Sequence, residues 1–266
     1  MIRKTNLRPL TLLFILFLLS ACSEDEVKVE GNLKTWQKVT LQIHGPKVSE
    51  TAMPNPFLFY RLNVTFRQGD RSYVVPGFYA ADGNAGETSA RSGSLWKVHF
   101  CPPKAGTWSY SISFRKGEEI AVSEKKDAGS PVVPDGQTGS FEVEQASQAA
   151  RGFFSKGRLK YVNKHHLQLA GSKEYFLKGG ADSPENFLAY SGFDGTCYGG
   201  DQQIREGESA PNKGLHAYDP HVADWQKGDP VWQNGKGKGI IGALNYLASE
   251  GMNSVYFITM NILGDG

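Results

Sequence analysis

Asp182, Glu185 and Asn186 put two carboxylates and an amide around Pro184, a grouping that can hydrogen-bond a ligand rich in hydroxyl groups. Short polar side chains also bond nearby amides, so Asp182 and Asn186 could equally cap a turn or helix at this point. Phe187, Tyr190, Phe193 and Tyr198 follow; they could present a flat face to a ring, or form the small core of their own loop. His216, Asp219, His221 and Asp224 bring imidazoles and carboxylates close together. Their spacing matches neither a His-x3-His helix nor a Cys/His zinc pattern, and Pro220 interrupts any helical face, so no metal is expected. No cofactor is expected either. Asp229-Pro230 reads as a turn, and Asn261 and Asp265 are further polar candidates unless Leu263 to Gly266 is itself a turn.

Two different patterns must position these groups. In the first part, Trp96, Val98 and Phe100 alternate with Lys97 and His99, and Trp108, Tyr110, Ile112 and Phe114 alternate with polar residues, the period-2 pattern of half-buried strands. Pro102, Pro103 and Gly106 force a corner between them. Further strands are expected at Val39 to Ile43, Phe59 to Phe66, Tyr73 to Val75, about 119 to 123, and Gly139 to Glu144, with a loop at 127 to 137. Seven or so short strands at this spacing imply an all-β sandwich over 36–146. Trp96, Trp108, Phe78 and Tyr110 are either its core anchors or a carbohydrate platform, and the alternation points most of them inward.

Past a hinge at 145–150 the pattern changes. Leu159 to Val162, Leu167 to Leu169 and Tyr175 to Leu177 read as short strands, and a long segment from Gly179 to Gly239 has little period, the kind of loop that carries function. Ile240, Ile241, Ala243, Leu244 and Leu247 recur at helical spacing, Gly251 suits a left-handed cap, and Val255 to Ile258 suits a buried strand. Strand, connection, helix and strand begin a parallel α/β sheet. Asp182, Glu185 and Asn186 would then follow its first strand, Tyr175 to Leu177, at the face where (β/α)8 barrels build their sites. A barrel needs about 250 residues and about 110 follow the hinge, so 151–266 is expected to be an incomplete, truncated barrel start.

Arg3, Lys4 and Arg8 precede an apolar run from Leu10 to Leu19 that is too short to span a bilayer but suits a secretory signal over 1–21. Leu18-Leu19-Ser20-Ala21-Cys22 resembles a bacterial lipobox, which makes Cys22 the lipidated first residue of the mature chain and anchors it to a membrane. Residues 22–35 read as a tether, and Ser23 to Glu26 resemble an acidic signal for the outer face of an outer membrane. Three basic residues and no acidic ones precede Cys22, so the mature chain holds 26 basic against 27 acidic residues, a balance of −1 that argues against nucleic-acid partners. Cys101 and Cys197 fall in different segments and are not expected to bridge.

Val75-Pro76-Gly77-Phe78-Tyr79 with Asp82-Gly83, Trp96, Phe100, and Gly106 to Tyr110 carry a resemblance in the first part. Leu177 to Leu188, Phe193-Asp194-Gly195-Thr196, and His221 to Trp225 with Gly228-Asp229-Pro230 carry it in the second. On these motifs the chain resembles the N-terminal part of bacterial glycoside hydrolases that carry domain of unknown function 5060, an immunoglobulin-like module, ahead of a barrel. The resemblance implies a cell-surface component of polysaccharide degradation, with Asp182, Glu185, Asn186, Phe193 and Asp194 contacting a polysaccharide or oligosaccharide. It also implies hydrolysis by paired carboxylates on later barrel strands. No catalytic residue is assigned in this chain, which is expected to be inactive alone. The alternative is a non-catalytic surface protein that binds glycan or a matrix protein through the sandwich.

Overall fold

A computed structural model describes residues 27–181, 186–196 and 215–257. The first part is a two-sheet β-sandwich. One sheet runs in the order β1 (Val27–Gly31), β2 (Val39–Ser49), β6 (Ser92–Phe100), β5 (Phe78–Tyr79). The other runs β4 (Arg71–Pro76), β3 (Tyr60–Gln68), β7 (Gly106–Lys116), with β8 (Ser130–Pro131) and β9 (Thr138–Val143) both on β7. All these pairs are antiparallel. The alternation drives the packing: Val39, Leu41 and Ile43 of β2, Leu62, Val64 and Phe66 of β3, and Trp108, Ile112 and Phe114 of β7 all face one core. Phe66 stacks on Phe100 at 4.1 Å, and both indoles find acceptors, Trp96 Nε1 on Pro46 O at 3.2 Å and Trp108 Nε1 on Lys104 O at 2.9 Å. Burying an aromatic ring with its polar atom satisfied gives the full apolar gain without a desolvation cost.

Of the four aromatic residues in question, Trp96, Trp108 and Tyr110 are core, whereas Phe78 is 44% exposed. Its register partner is Lys97, so it shares the outer face of the sheet with that lysine, and its ring meets His99 edge-on at 5.0 Å. Mid-way along β2 the pairing with β6 shifts between His44 and Val48. Gly45 and Pro46 lie there; a Cβ at Gly45 would come within 2.9 Å of Trp96, so the bare backbone is what lets that indole reach Pro46.

Two expectations are corrected here. Val27–Gly31 is a strand rather than tether, because Val27 and Val29 pack against the core while Glu30 and Lys28 pair outside. Residues 120–122 form a 3-10 turn rather than a strand: Ile120 is 2% exposed and plugs the end of the sandwich, and Glu119 takes a positive φ. Two arginines hold the following loop. Arg61 donates to the carbonyls of Ser123, Lys125 and Lys126, and Arg115 to those of Asp127, Ala128 and Gly129.

The hinge is fastened to the sandwich. Thr35 is buried; its N–H donates to Glu144 O and its hydroxyl accepts from Ala146 N at 2.9 Å. Beyond it, β10 (Leu159–Lys160), β11 (Leu167–Leu169) and β12 (Tyr175–Phe176) form an antiparallel meander. Tyr175 to Leu177, expected as the first strand of a parallel sheet, belongs to this meander instead because Tyr175 pairs antiparallel with Gln168. The parallel pair is β13 (Gly180–Ala181) with β14 (Ser254–Val255), joined through the helix α3 (Lys238–Ser249). Each of those strands is two residues long, and no barrel segment is evident among the described residues.

The α3 helix docks differently from its periodicity. Gly239, Ile240, Gly242 and Ala243 are its buried residues, whereas Leu244 is 36% exposed. The 3-10 turn Asp219–Asp224 lies so close that a methyl at Gly242 would overlap His221 O and one at Gly239 would overlap Ala217 O. Gly251 at φ +85° ends the helix as expected.

Candidate functional site

Of the five residues expected to contact substrate, Asn186, Phe193 and Asp194 are among the described residues; Asp182 and Glu185 lie outside them, as does Cys22. Asn186 is 7% exposed, and its Oδ1 meets His216 Nε2 at 2.7 Å. Burial lowers the pKa of the His216 imidazole, and because an amide oxygen can only accept, His216 Nε2–H is the donor in this pair. His216 also stacks on Tyr218 at 5.1 Å, whose hydroxyl donates to Phe187 O. Phe187 and Tyr190 are both 5% exposed and pack with Ile240 in a second small core. The loop therefore has its own core, and Tyr198 lies outside the described residues. Asn186 is spent on orienting His216 in that core.

Phe193 stacks flat on Trp232, 5.4 Å between centroids. Asp194 next to it is the centre of a polar joint between the two parts of the chain. Its Oδ2 accepts from the hydroxyl of Ser89 and from Gln233 Nε2 at 2.8 Å, and its Oδ1 faces Lys236 Nζ at 3.4 Å. Ser89 ends the short helix α2 (Ala85–Thr88) of the sandwich, and Glu87 from the same turn accepts Gln233 N at 2.8 Å. A second polar cluster, within the second part of the chain, gathers Arg151, Asn245 and Gln226 N around Asp229, whose N–H donates to Gln226 O and closes the turn leading into Pro230. His221 turns to Asp224 at 3.0 Å, away from the Asn186 pairing of His216, and among the described residues no group of three or more His, Cys, Asp or Glu could hold a metal.

Hydrogen bonds from Ser89 and Gln233 hold the Asp194 carboxyl below the usual aspartate range, and those from Asn245 and Gln226 N do the same for Asp229. A depressed folded value means that each carboxylate's contribution is complete above the unfolded aspartate value and is lost as pH falls through the lower folded one. On acidification below the ordinary aspartate range, hydrogen exchange at 85–89 and 232–236 is therefore expected to rise before that of β2, β3 and β7. Simultaneous loss of protection in both regions would contradict this.

What sequence reasoning missed is a cleft in the sandwich itself, with a volume of about 410 Å³. It opens where the chain leaves β4 at Pro76 and crosses to β5 in the other sheet. Tyr60, Leu62, Tyr79 and Trp96 line it together with the exposed Phe57 and Phe78. Phe57 belongs to the four-residue helix α1 (Pro56–Phe59), capped by the Asn55 side chain on Phe57 N at 3.0 Å, and it is 54% exposed. Its ring meets Tyr79 edge-on at 6.3 Å. Tyr79 is fixed by its hydroxyl, which donates to Val48 O at 2.7 Å, and burial raises its pKa. Asn63, Ser123, Glu124 and Lys126 add polar groups to its lining. Arg61 also lines it, with its guanidinium engaged by the 123–126 loop. The signal in the sequence was Asn55-Pro56-Phe57, a capped turn carrying an aromatic residue with no strand to bury it.

The family model for a domain of unknown function, DUF5060, matches residues 32–115, a stretch that contains most of the cleft. No curated protein matches. Among solved structures, the chain is similar to a "putative glycoside hydrolase" from Bacteroides vulgatus ATCC 8482, with 20% identity and a TM-score of 0.36. The similarity covers 56% of this chain and 22% of that one, so the chain spans less than a quarter of that protein's length.

Proposed function

We propose that this is an exported protein of polysaccharide degradation, lipid-anchored through Cys22 at the outer face of an outer membrane, whose immunoglobulin-type sandwich holds a sugar chain in the Phe57–Phe78 cleft. The observation that carries the reading is the cleft: exposed and fixed aromatic rings beside amide, hydroxyl and charged side chains at one opening. Sugars offer apolar C–H faces to aromatic rings and hydroxyls to polar groups, and both kinds of partner are present here. Residues 151–266 would then be the beginning of a glycosidase-type domain beside it, as the sequence resemblance implies. Hydrolysis itself is not assigned to any side chain, because Asp194, Asp224 and Asp229 each have structural partners.

Calorimetric titration of the full chain with neutral oligosaccharides from β-glucan, xylan and mannan tests the reading. At least one series is expected to bind, and Phe57→Ala, at an exposed position, to weaken that binding about tenfold, equivalent to about 1.4 kcal/mol. Undiminished binding by the Phe57 variant, or none by the parent, would remove the cleft from the account.

A further inference from the structure

Between Arg151 and Lys178 the chain carries seven Lys or Arg residues and a single acidic one, Glu174, although the chain as a whole is nearly balanced. Arg151 is engaged with Asp229 and Asn245, Lys156 with Glu174, and Lys173 with Ala170 O. Arg158, Lys160, Lys164 and Lys178 are exposed and make no ion pair or side-chain hydrogen bond among the described residues.

The strand register arranges the neighbours of these charges. Lys160 lies opposite Gln168, and Gln168 opposite Tyr175, so the three share one face in a row across the meander, about 10 Å from end to end at ordinary strand spacing. Tyr175 is 52% exposed and Tyr161, next to Lys160, 66%. Gln168 Nε2 donates to Lys173 O, which leaves its Oε1 to accept a hydroxyl proton. Leu159, Leu167 and Phe176 lie on the other face, where Phe153 meets Phe176 edge-on.

We propose that this face binds an acidic polysaccharide, a sugar chain bearing carboxylates or sulfates. On this face Lys160, with the exposed Arg158 and Lys164 nearby in the chain, answers the anionic groups, the Tyr175 ring a sugar face, and the Gln168 amide the hydroxyls. A bilayer fits less well, because the apolar residues face away from the row of Lys160, Gln168 and Tyr175. The meander docks on the sandwich through Trp36, which lies against Gly157 and Gly171. The inference takes its polysaccharide partner from the proposed function and adds the charge of the polymer and a second place of contact.

The test is binding of the full chain to polygalacturonate and heparin against a neutral β-glucan, at low and high salt, for the parent, the Lys160→Glu/Lys164→Glu double variant, Tyr175→Ala and Phe57→Ala. All substituted positions are exposed, and circular dichroism verifies folding. At least one acidic polymer is expected to bind at least tenfold more tightly than the neutral one at low salt, with affinity falling as salt rises. Charge reversal is expected to weaken that binding at least tenfold and Tyr175→Ala several-fold, while Phe57→Ala leaves it unchanged. Full acidic-polymer binding by the double variant or by Tyr175→Ala would overturn the proposal, as would tighter binding of anionic phospholipid vesicles or single-stranded RNA. Loss of neutral binding alone in Phe57→Ala with acidic binding intact supports both sites; failure of neutral binding in the parent would sink the cleft and leave this face standing.

Discussion

Trp108→Ala is expected to cost the sandwich about 3–5 kcal/mol, the range for truncating a buried tryptophan. The side chain is fully buried, and its ring touches Phe100 at 5.0 Å and Tyr73 at 6.0 Å between the two sheets. Truncation would leave a void that β3, β6 and β7 cannot close together, since each is fixed by its own ladder. It would also orphan Lys104 O, which fixes the corner between β6 and β7. Trp108→Phe separates the two effects: it keeps part of the ring volume and should lose less, with about 1 kcal/mol of its loss coming from the hydrogen bond. Denaturant midpoints for both variants check this, and a Trp108→Ala protein as stable as the parent would contradict the packing described.

The second large effect is expected at Gly242. A side chain there meets the carbonyl of His221, a backbone atom held in the Asp219–Asp224 turn, so Gly242→Val must push α3 off that turn. Overpacking of this kind costs about 1–3 kcal/mol and sometimes more. The loss should be confined to the second part of the chain: faster hydrogen exchange at 238–249 and 219–224, with β2, β3 and β7 unchanged. Equal protection throughout would mean that α3 is not seated where its glycines place it.

The contrast between these two sites shows what the sequence made legible. The sandwich strands announce themselves by alternation, because each buries one face against the other sheet, and the alternation favoured an inward Trp108 over a carbohydrate platform. Helix α3 could be found by its period, but not its docking face. Leu244 belongs to the periodic stripe yet is exposed, whereas close backbone approach selects Gly239 and Gly242. Val27–Gly31 was hidden because an edge strand needs only two valines inward while its outer face stays charged.

The candidate site was less legible still. Asn186 and Asp194 look like ligand-binding groups in sequence, and nothing local shows that His216, thirty residues on, or Ser89, more than a hundred residues back, will engage them. Such long-range pairings are set by tertiary packing and have no local signature. The cleft escaped notice for the converse reason. Its walls come from α1, β3, β5, β6 and the 121–126 loop, and only the crossing from one sheet to the other at Gly77 brings them together.

The most direct test of the account is nuclear magnetic resonance mapping of the isotopically labelled full chain during titration with the neutral oligosaccharide that binds best. Saturable shifts are expected at Phe57, Asn63, Phe78, Tyr79 and the Trp96 indole. Shifts confined to Asn186, His216 and Phe193, with the cleft silent, would contradict it.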